Sequence, residues 1–103
     1  MATTVVLRSV DNTPYYADDL HDPQHLIYTC QGIIGDQNLN NPDNQKLLHA
    51  DQFWVYRVQP RGRHKTYIWY GRYHRMGDPY PMQHVDDLGQ MRQIYLIHLE
   101  RDN

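Results

Sequence analysis

YTCQGIIGDQNLNNPDNQKLLHA, residues 28–50, is the stretch whose reading decides the fold. Leu26 to Cys30 is a short apolar and β-branched run that reads as a strand. Gly32 and Gly35 follow, and glycine permits backbone conformations that a loop closely approaching a ligand needs. Asn40 to Asp43 has the chemistry of a helix entry, with Pro42 in the first turn and Asn or Asp as cap. The helix is predicted from Pro42 or Asp43 to His49, with Leu47 and Leu48 toward the core. Between strand and helix stand an acid, two amides and several asparagines, in an order matching no metal cage, P-loop or catalytic triad.

Upstream, residues 3–10 (TTVVLRSV) are β-branched and predict a first strand. Asp11 to Pro14 is turn chemistry, and Tyr15 to Gln24 is acidic and fits neither period, which predicts a loop. Downstream, residues 53–59 (FWVYRVQ) are apolar on both faces, which predicts a strand covered on both sides. Pro60 to Arg63 reads as a hairpin turn and residues 66–73 (TYIWYGRY) as its return strand, with Gly71 marking a bulge or a close approach. Met76 to Gln90, with two glycines and two prolines, is predicted as a long loop with room for a short strand pair. Residues 93–100 (QIYLIHLE) form the last strand. The fold class is therefore mostly β with one or two short helices (α+β), a curled sheet or small barrel, in a single domain over residues 1–103.

Composition fits a globular domain: 40% of residues are hydrophobic and 21% charged. Nine of the twelve aromatics are tyrosine, a ring with a polar edge suited to a binding surface. The lone Cys30 rules out an internal disulfide and favours a reducing setting. The first residues lack a signal-peptide run and no later segment has the length to span a membrane, so a cytoplasmic protein is expected, nucleoid-associated in a prokaryote. Net charge is −2, unevenly spread. Residues 1–56 hold two basic side chains against seven acids, and residues 57–103 hold eight against five. Arg57, Arg61, Arg63, Lys65, Arg72 and Arg75 make a basic strip that reads either as a solvated hairpin or as a phosphate-binding edge.

Catalysis finds little footing. The only serine, Ser9, lies in a predicted strand, and Cys30 has no base near it in sequence. Seven histidines lack the spacing of a metal site, so neither metal nor cofactor is expected, and the chain is read as no enzyme.

The opening stretch resembles the core signature of the SRA domain (SET- and RING-associated, or YDG), of the PUA-like superfamily, in its compact microbial form. The matching residues are Tyr28, Thr29, Gly32, Asp36, Gln37, Leu39, Asn44 and Leu47. WYGRY (69–73) is similar to the family's Tyr-Asp-Gly-x-Tyr strand, with Tyr70 in place of the aspartate, and RQIYLIHLERD (92–102) to its last strand. YADD (16–19) stands twelve residues before Tyr28, the family's spacing between two pocket elements.

The resemblance implies a reader that flips 5-methylcytosine or 5-hydroxymethylcytosine out of double-stranded DNA, serving a modification-dependent restriction or epigenetic system. Tyr16 and Tyr28 would sandwich the base, Tyr15 being a rival for Tyr16, and Asp19 would accept its exocyclic amino group. Thr29, Cys30 and Gln31 would line the pocket where a 5-substituent sits. Gly32, Asp36, Gln37 and Asn44 would brace the loop, and the strip from Arg57 to Arg75 would hold phosphates. The link from Gly32 to Asp36 leaves no room for the basic finger of longer members. A separately encoded nuclease subunit is the implied partner, and a homodimer stays open. The rival readings are a PUA-like binder of RNA or a modified nucleotide, and a protein-interaction subunit, phage-encoded for instance, that keeps the fold.

Overall fold

The computed structural model describes residues 3–13 and 16–102; Pro14 and Tyr15, the turn proline and the rival pocket tyrosine, lie outside them. Six strands and one helix follow in order: β1 (Thr4–Val10), β2 (His25–Thr29), α1 (Pro42–His49), β3 (Gln52–Arg61), β4 (His64–Arg75), β5 (Tyr80–Val85) and β6 (Met91–Arg101). All six strands belong to one sheet of order β1-β3-β4-β6-β2, with β5 paired on β6. β1 runs parallel to β3, and the other pairings are antiparallel. This is the mostly β, curled-sheet architecture that the sequence predicts.

Local chemistry explains the elements. Asn41 caps α1 by accepting from the Asp43 amide, and Pro42 occupies the first turn, where its missing N–H costs nothing. β3 and β4 form a long hairpin, and its register shifts between Val55 and Tyr56, opposite Gly71. Gly71 has φ +131°, and a Cβ there would lie 3.5 Å from Arg101 Nε. The expected irregularity at Gly71 is therefore a bulge, filled from above by a side chain rather than by a second backbone.

One expectation is completed and one corrected. The 76–90 stretch is not a loop throughout: the strand it leaves room for is β5, whose partner is β6, from Tyr80↔Leu96 to Val85↔Met91. Pro81 is tolerated there because β5 pairs on one side only. Nor is β3 covered on both sides. Phe53 and Val55 face the core, whereas Trp54, on the opposite face, is 36% exposed.

The core gathers Leu7, Leu26, Tyr28, Cys30, Phe53, Val55, Tyr73, Ile97 and Leu99 inside the curl, with Leu47 of α1 closing one end. Burying each large apolar side chain contributes about 1.5–3 kcal/mol, and Tyr73 satisfies its buried hydroxyl by donating to the Pro23 carbonyl at 2.6 Å. The two ends of the strand order, β1 and β2, do not pair with each other. The segment 16–20 stands between them. Its Asp19 exchanges both backbone hydrogen bonds with Ile27 of β2, at 2.9 and 3.0 Å. Toward β1 the link is a side chain, Ser9 Oγ donating to Asp18 at 2.6 Å. This seam positions the candidate site.

Candidate functional site

A cavity of about 380 Å³ opens at the seam, lined by Ser9 and Val10 of β1, the turn 11–13, Tyr16, Asp18, Leu20, His21 and Arg57 of β3. Its size lies at the lower end of the range for small-molecule sites, enough for one base and not for a duplex.

The wall is built from the backbone outward. Antiparallel pairing of Asp19 with Ile27 turns Asp19 away from the interior, and strand alternation then turns Asp18 inward, toward Tyr28 and Ser9. Asp18 accepts from Ser9 Oγ through one oxygen and from the Thr29 amide through the other, at 2.6 and 2.7 Å. A carboxylate has about four acceptor sites, so one stays open beside the donors from Ser9 and Thr29. Burial raises the Asp18 pKa above the ordinary carboxylate value, against the lowering effect of hydrogen bonds from the Ser9 hydroxyl and from the Thr29 hydroxyl and amide. Thr29 also accepts from the Ala17 amide at 2.9 Å, so β2 and the segment 16–20 hold each other through side chains as well as backbone.

Asp11 and Arg57 form a bidentate pair on the same wall, at 2.9 and 3.0 Å. The guanidinium holds the Asp11 carboxyl below its usual value, and the bond to Asp11 raises Arg57 in turn. At the rim, His21 Nδ1 lies 2.6 Å from Asp19 Oδ1. Hydrogen bonds from the His21 amide and ring lower Asp19, and the carboxylate raises His21.

The residues expected to bind a base separate into three groups. Tyr16 is on the cavity wall. Tyr28 is not: it is 8% exposed and packs in the core, its hydroxyl accepting from Gln31 Nε2 at 3.2 Å. Its phenol pKa is raised by burial first and then by Asp18 and Tyr16, so all three groups converge on this wall, with Tyr28 beneath its surface. Among the described residues no second tyrosine faces Tyr16 across the cavity. The carboxylate on the wall is Asp18, one residue from the expected Asp19. Thr29, Cys30 and Gln31 do not line the cavity either. Thr29 and Cys30 are fully buried, and burial pushes the Cys30 thiol up to about 11. Gln31 is committed to Tyr28 and, through its backbone, to Asn44.

The loop after β2 is tightly tied. Asn44 donates to the Gln31 and Asn38 carbonyls and accepts from the Gln31 amide. Gln37 donates to the Cys30 and Gly32 carbonyls and accepts from the Tyr95 amide at 2.8 Å, while Asp36 accepts from the Gln93 amide at 2.7 Å. Sequence reasoning missed two further braces. Arg92 is buried and donates to the Gly32 and Gly35 carbonyls, and Asp86 accepts from the Gly35, Leu88 and Gln90 amides.

The basic strip also divides. Arg57 is held by Asp11, Arg72 lies over the Trp54 ring at 5.5 Å, and Arg75 donates to the Leu48 and Gly77 carbonyls. Arg61, Arg63 and Lys65 are exposed at the tip of the β3–β4 hairpin. Among the described residues no three His, Cys, Asp or Glu side chains are placed to hold a metal ion.

No family model matches the chain, and no curated protein matches it. Solved structures do. The DNA modification-dependent restriction endonuclease AspBHI superposes over 94% of the chain at a TM-score of 0.70 and 20% identity. The sulfur-binding and SRA domains of ScoMcrA, complexed with phosphorothioated DNA, give 0.67 over 93% at 15% identity. The fold is that of an SRA domain. KRYPTONITE, in complex with mCHG DNA and SAH, agrees at 0.62 over 98% and 19% identity. In all three the superposed fold is a portion of a longer polypeptide: this chain spans 54%, 29% and 23% of their lengths.

Proposed function

We propose that this domain reads a modified cytosine in double-stranded DNA by accepting the extruded base into the cavity at the seam. The observation that carries the reading is the pairing, on one wall of a base-sized cavity, of an aromatic ring (Tyr16) with a half-buried carboxylate (Asp18). A flipped base has lost stacking and pairing worth a few kcal/mol. A ring restores stacking at about 1–3 kcal/mol per base. A carboxylate is the natural acceptor for the cytosine N4 amino group, where thymine offers no donor. In this reading Asp18 takes the role that the sequence assigns to Asp19, and Asp19 holds His21 at the rim. Tyr28 backs the wall. Val10 and Leu20 supply apolar surface for a 5-substituent, and a methyl group there discriminates by about 1–3 kcal/mol. Arg61, Arg63 and Lys65 meet phosphates.

The fold similarity supports this reading, since the similar structures include a modification-dependent restriction endonuclease and a complex with methylated DNA. The domain acts as a binding module, and cleavage or modification belongs to a partner unit. A gel shift with duplexes carrying cytosine, 5-methylcytosine, 5-hydroxymethylcytosine or N6-methyladenine at one site tests it. Preference for a modified cytosine is expected, lost in Asp18→Ala and largely kept in Asp19→Ala. Equal binding to all four duplexes removes the reading.

A further inference from the structure

The outward face of β1, β3 and β4 carries a second surface that the cavity does not use. Strand pairing aligns three rows across it: Val6, Trp54 and Arg72; Arg8, Tyr56 and Trp69; Val58 and Tyr67. The rings interlock, with Trp54 and Trp69 edge to face at 6.1 Å and Tyr56 tilted on Trp69 at 5.0 Å. Val58 is buried yet stands outside the core cluster, consistent with its place in the outer rows. The rings themselves stay open to solvent, Tyr67 at 54% and Trp69 at 48%. Val6, Arg8, Trp54, Tyr56 and Tyr67 shape a shallow concavity of about 430 Å³ that no acid lines. In a chain of net charge −2, cations gather here. Arg8 stands in the concavity, Lys65 continues the alternation of Tyr67 and Trp69 toward the hairpin tip, and Arg72 caps Trp54. Asp102 borders Trp69 and Arg72, but it is paired with His74.

We infer that this face binds single-stranded nucleic acid, separately from the cavity at the seam. Rings that offer π-faces, flanked along β4 by Lys65 and Arg72 and joined by Arg8 of β1, are what a single strand requires: bases stack while phosphates are neutralised. From Lys65 to Arg72 the track is roughly 24 Å long, at about 3.4 Å per residue. The absence of an acid from the concavity's lining makes the surface complementary to an anion, and the open rings favour an anion that carries its own aromatic faces. Since Ser9 and Leu7 face inward while Val6 and Arg8 face outward, the two sites lie on opposite sides of β1.

Both tryptophans of the chain belong to this face, so tryptophan fluorescence, excited beyond the tyrosine absorption band, reports on it alone. The full chain is titrated at about 50 mM salt, where phosphate contacts are strong, with unmodified oligothymidylate or oligouridylate of about eight nucleotides. Saturable quenching is expected, and the tighter of the two oligomers identifies DNA or RNA as the natural strand. Tyr67→Ala should weaken binding about tenfold, and Trp69→Ala likewise, with Trp54 as reporter, whereas Trp69→Phe keeps most of the affinity. Arg8→Ala should flatten the dependence of log K on log salt by about 0.7. Circular dichroism checks that each variant is folded. Excess 5-methylcytidine nucleoside, a ligand for the cavity with no phosphate, should leave the quenching in place. If modified-base preference fails in the gel shift while quenching persists, only the reading of the cavity falls. The inference is overturned by absence of quenching with both oligomers, or by binding that Tyr67→Ala and Arg8→Ala leave intact. It is equally overturned by self-association that Trp69→Ala abolishes and oligomers do not affect.

Discussion

Asp18 illustrates how one residue of phase decides a site. Its pKa is raised by burial, so the folded chain holds that proton to a higher pH than the unfolded chain does. Stability gained from protonation is therefore complete below the ordinary value of 3.8 and is lost as pH rises through the raised value. Asp18→Asn should remove that part of the pH dependence, seen as a flatter plot of urea midpoint against pH on the acid side. The ionised form is the better acceptor, so preference for modified cytosine should fade as pH falls toward the same raised value. His21 offers an independent check. Its NMR titration midpoint should lie above the ordinary 6.5, and Asp19→Asn should return it toward that value. The acid pair was visible in the sequence, but which member faces inward was not. The segment from Tyr15 to Gln24 shows no period of its own, and its phase is set by pairing with Ile27, a partner in another element.

At the level of elements, the loop between β2 and α1 is built like a clasp. Asn44 is fully buried and makes three hydrogen bonds to loop backbone, so Asn44→Ala should cost about 3 kcal/mol, the order expected when buried backbone groups lose their partner. Gly71→Ala should cost about 1–3 kcal/mol, because φ +131° strains any side chain, while Arg101 leaves room for the methyl group. Chemical denaturation measures both. These positions were legible because their chemistry is local: glycine at an irregularity, asparagine at a helix start. Arg92 and Asp86 were not, since they reach back across 57 and 51 residues to hold Gly35. The bounds of β5 were hidden for a related reason. Pro79 and Pro81 break the strand pattern in the sequence, and only the edge position of β5 makes Pro81 harmless.

Across the whole molecule, the charge imbalance between the two halves resolves into cations with different duties. Arg63→Ala at the exposed hairpin tip should weaken binding to every duplex alike and reduce the salt slope by about one. Arg75→Ala should instead lower stability, because that side chain ties the start of the 76–79 segment to the end of α1 through the Leu48 carbonyl. The sequence showed both as members of one basic strip, and side-chain partners are what separate them. It also showed β3 as apolar on both faces. That pattern is shared by a strand under a second layer and by one carrying an open aromatic face, and among the described residues the exposure of Trp54 and Trp69 distinguishes them here.

The sheet meets its own other edge through a hydroxyl, a carboxylate and a two-bond backbone bridge instead of a continuous ladder. A guest arriving there can part the walls without unzipping any strand pair, so the expense of making room stays local. The amides of Ala17 and Asp19 should accordingly exchange with deuterium faster than those along the middle of β6, and slow down once the space is filled.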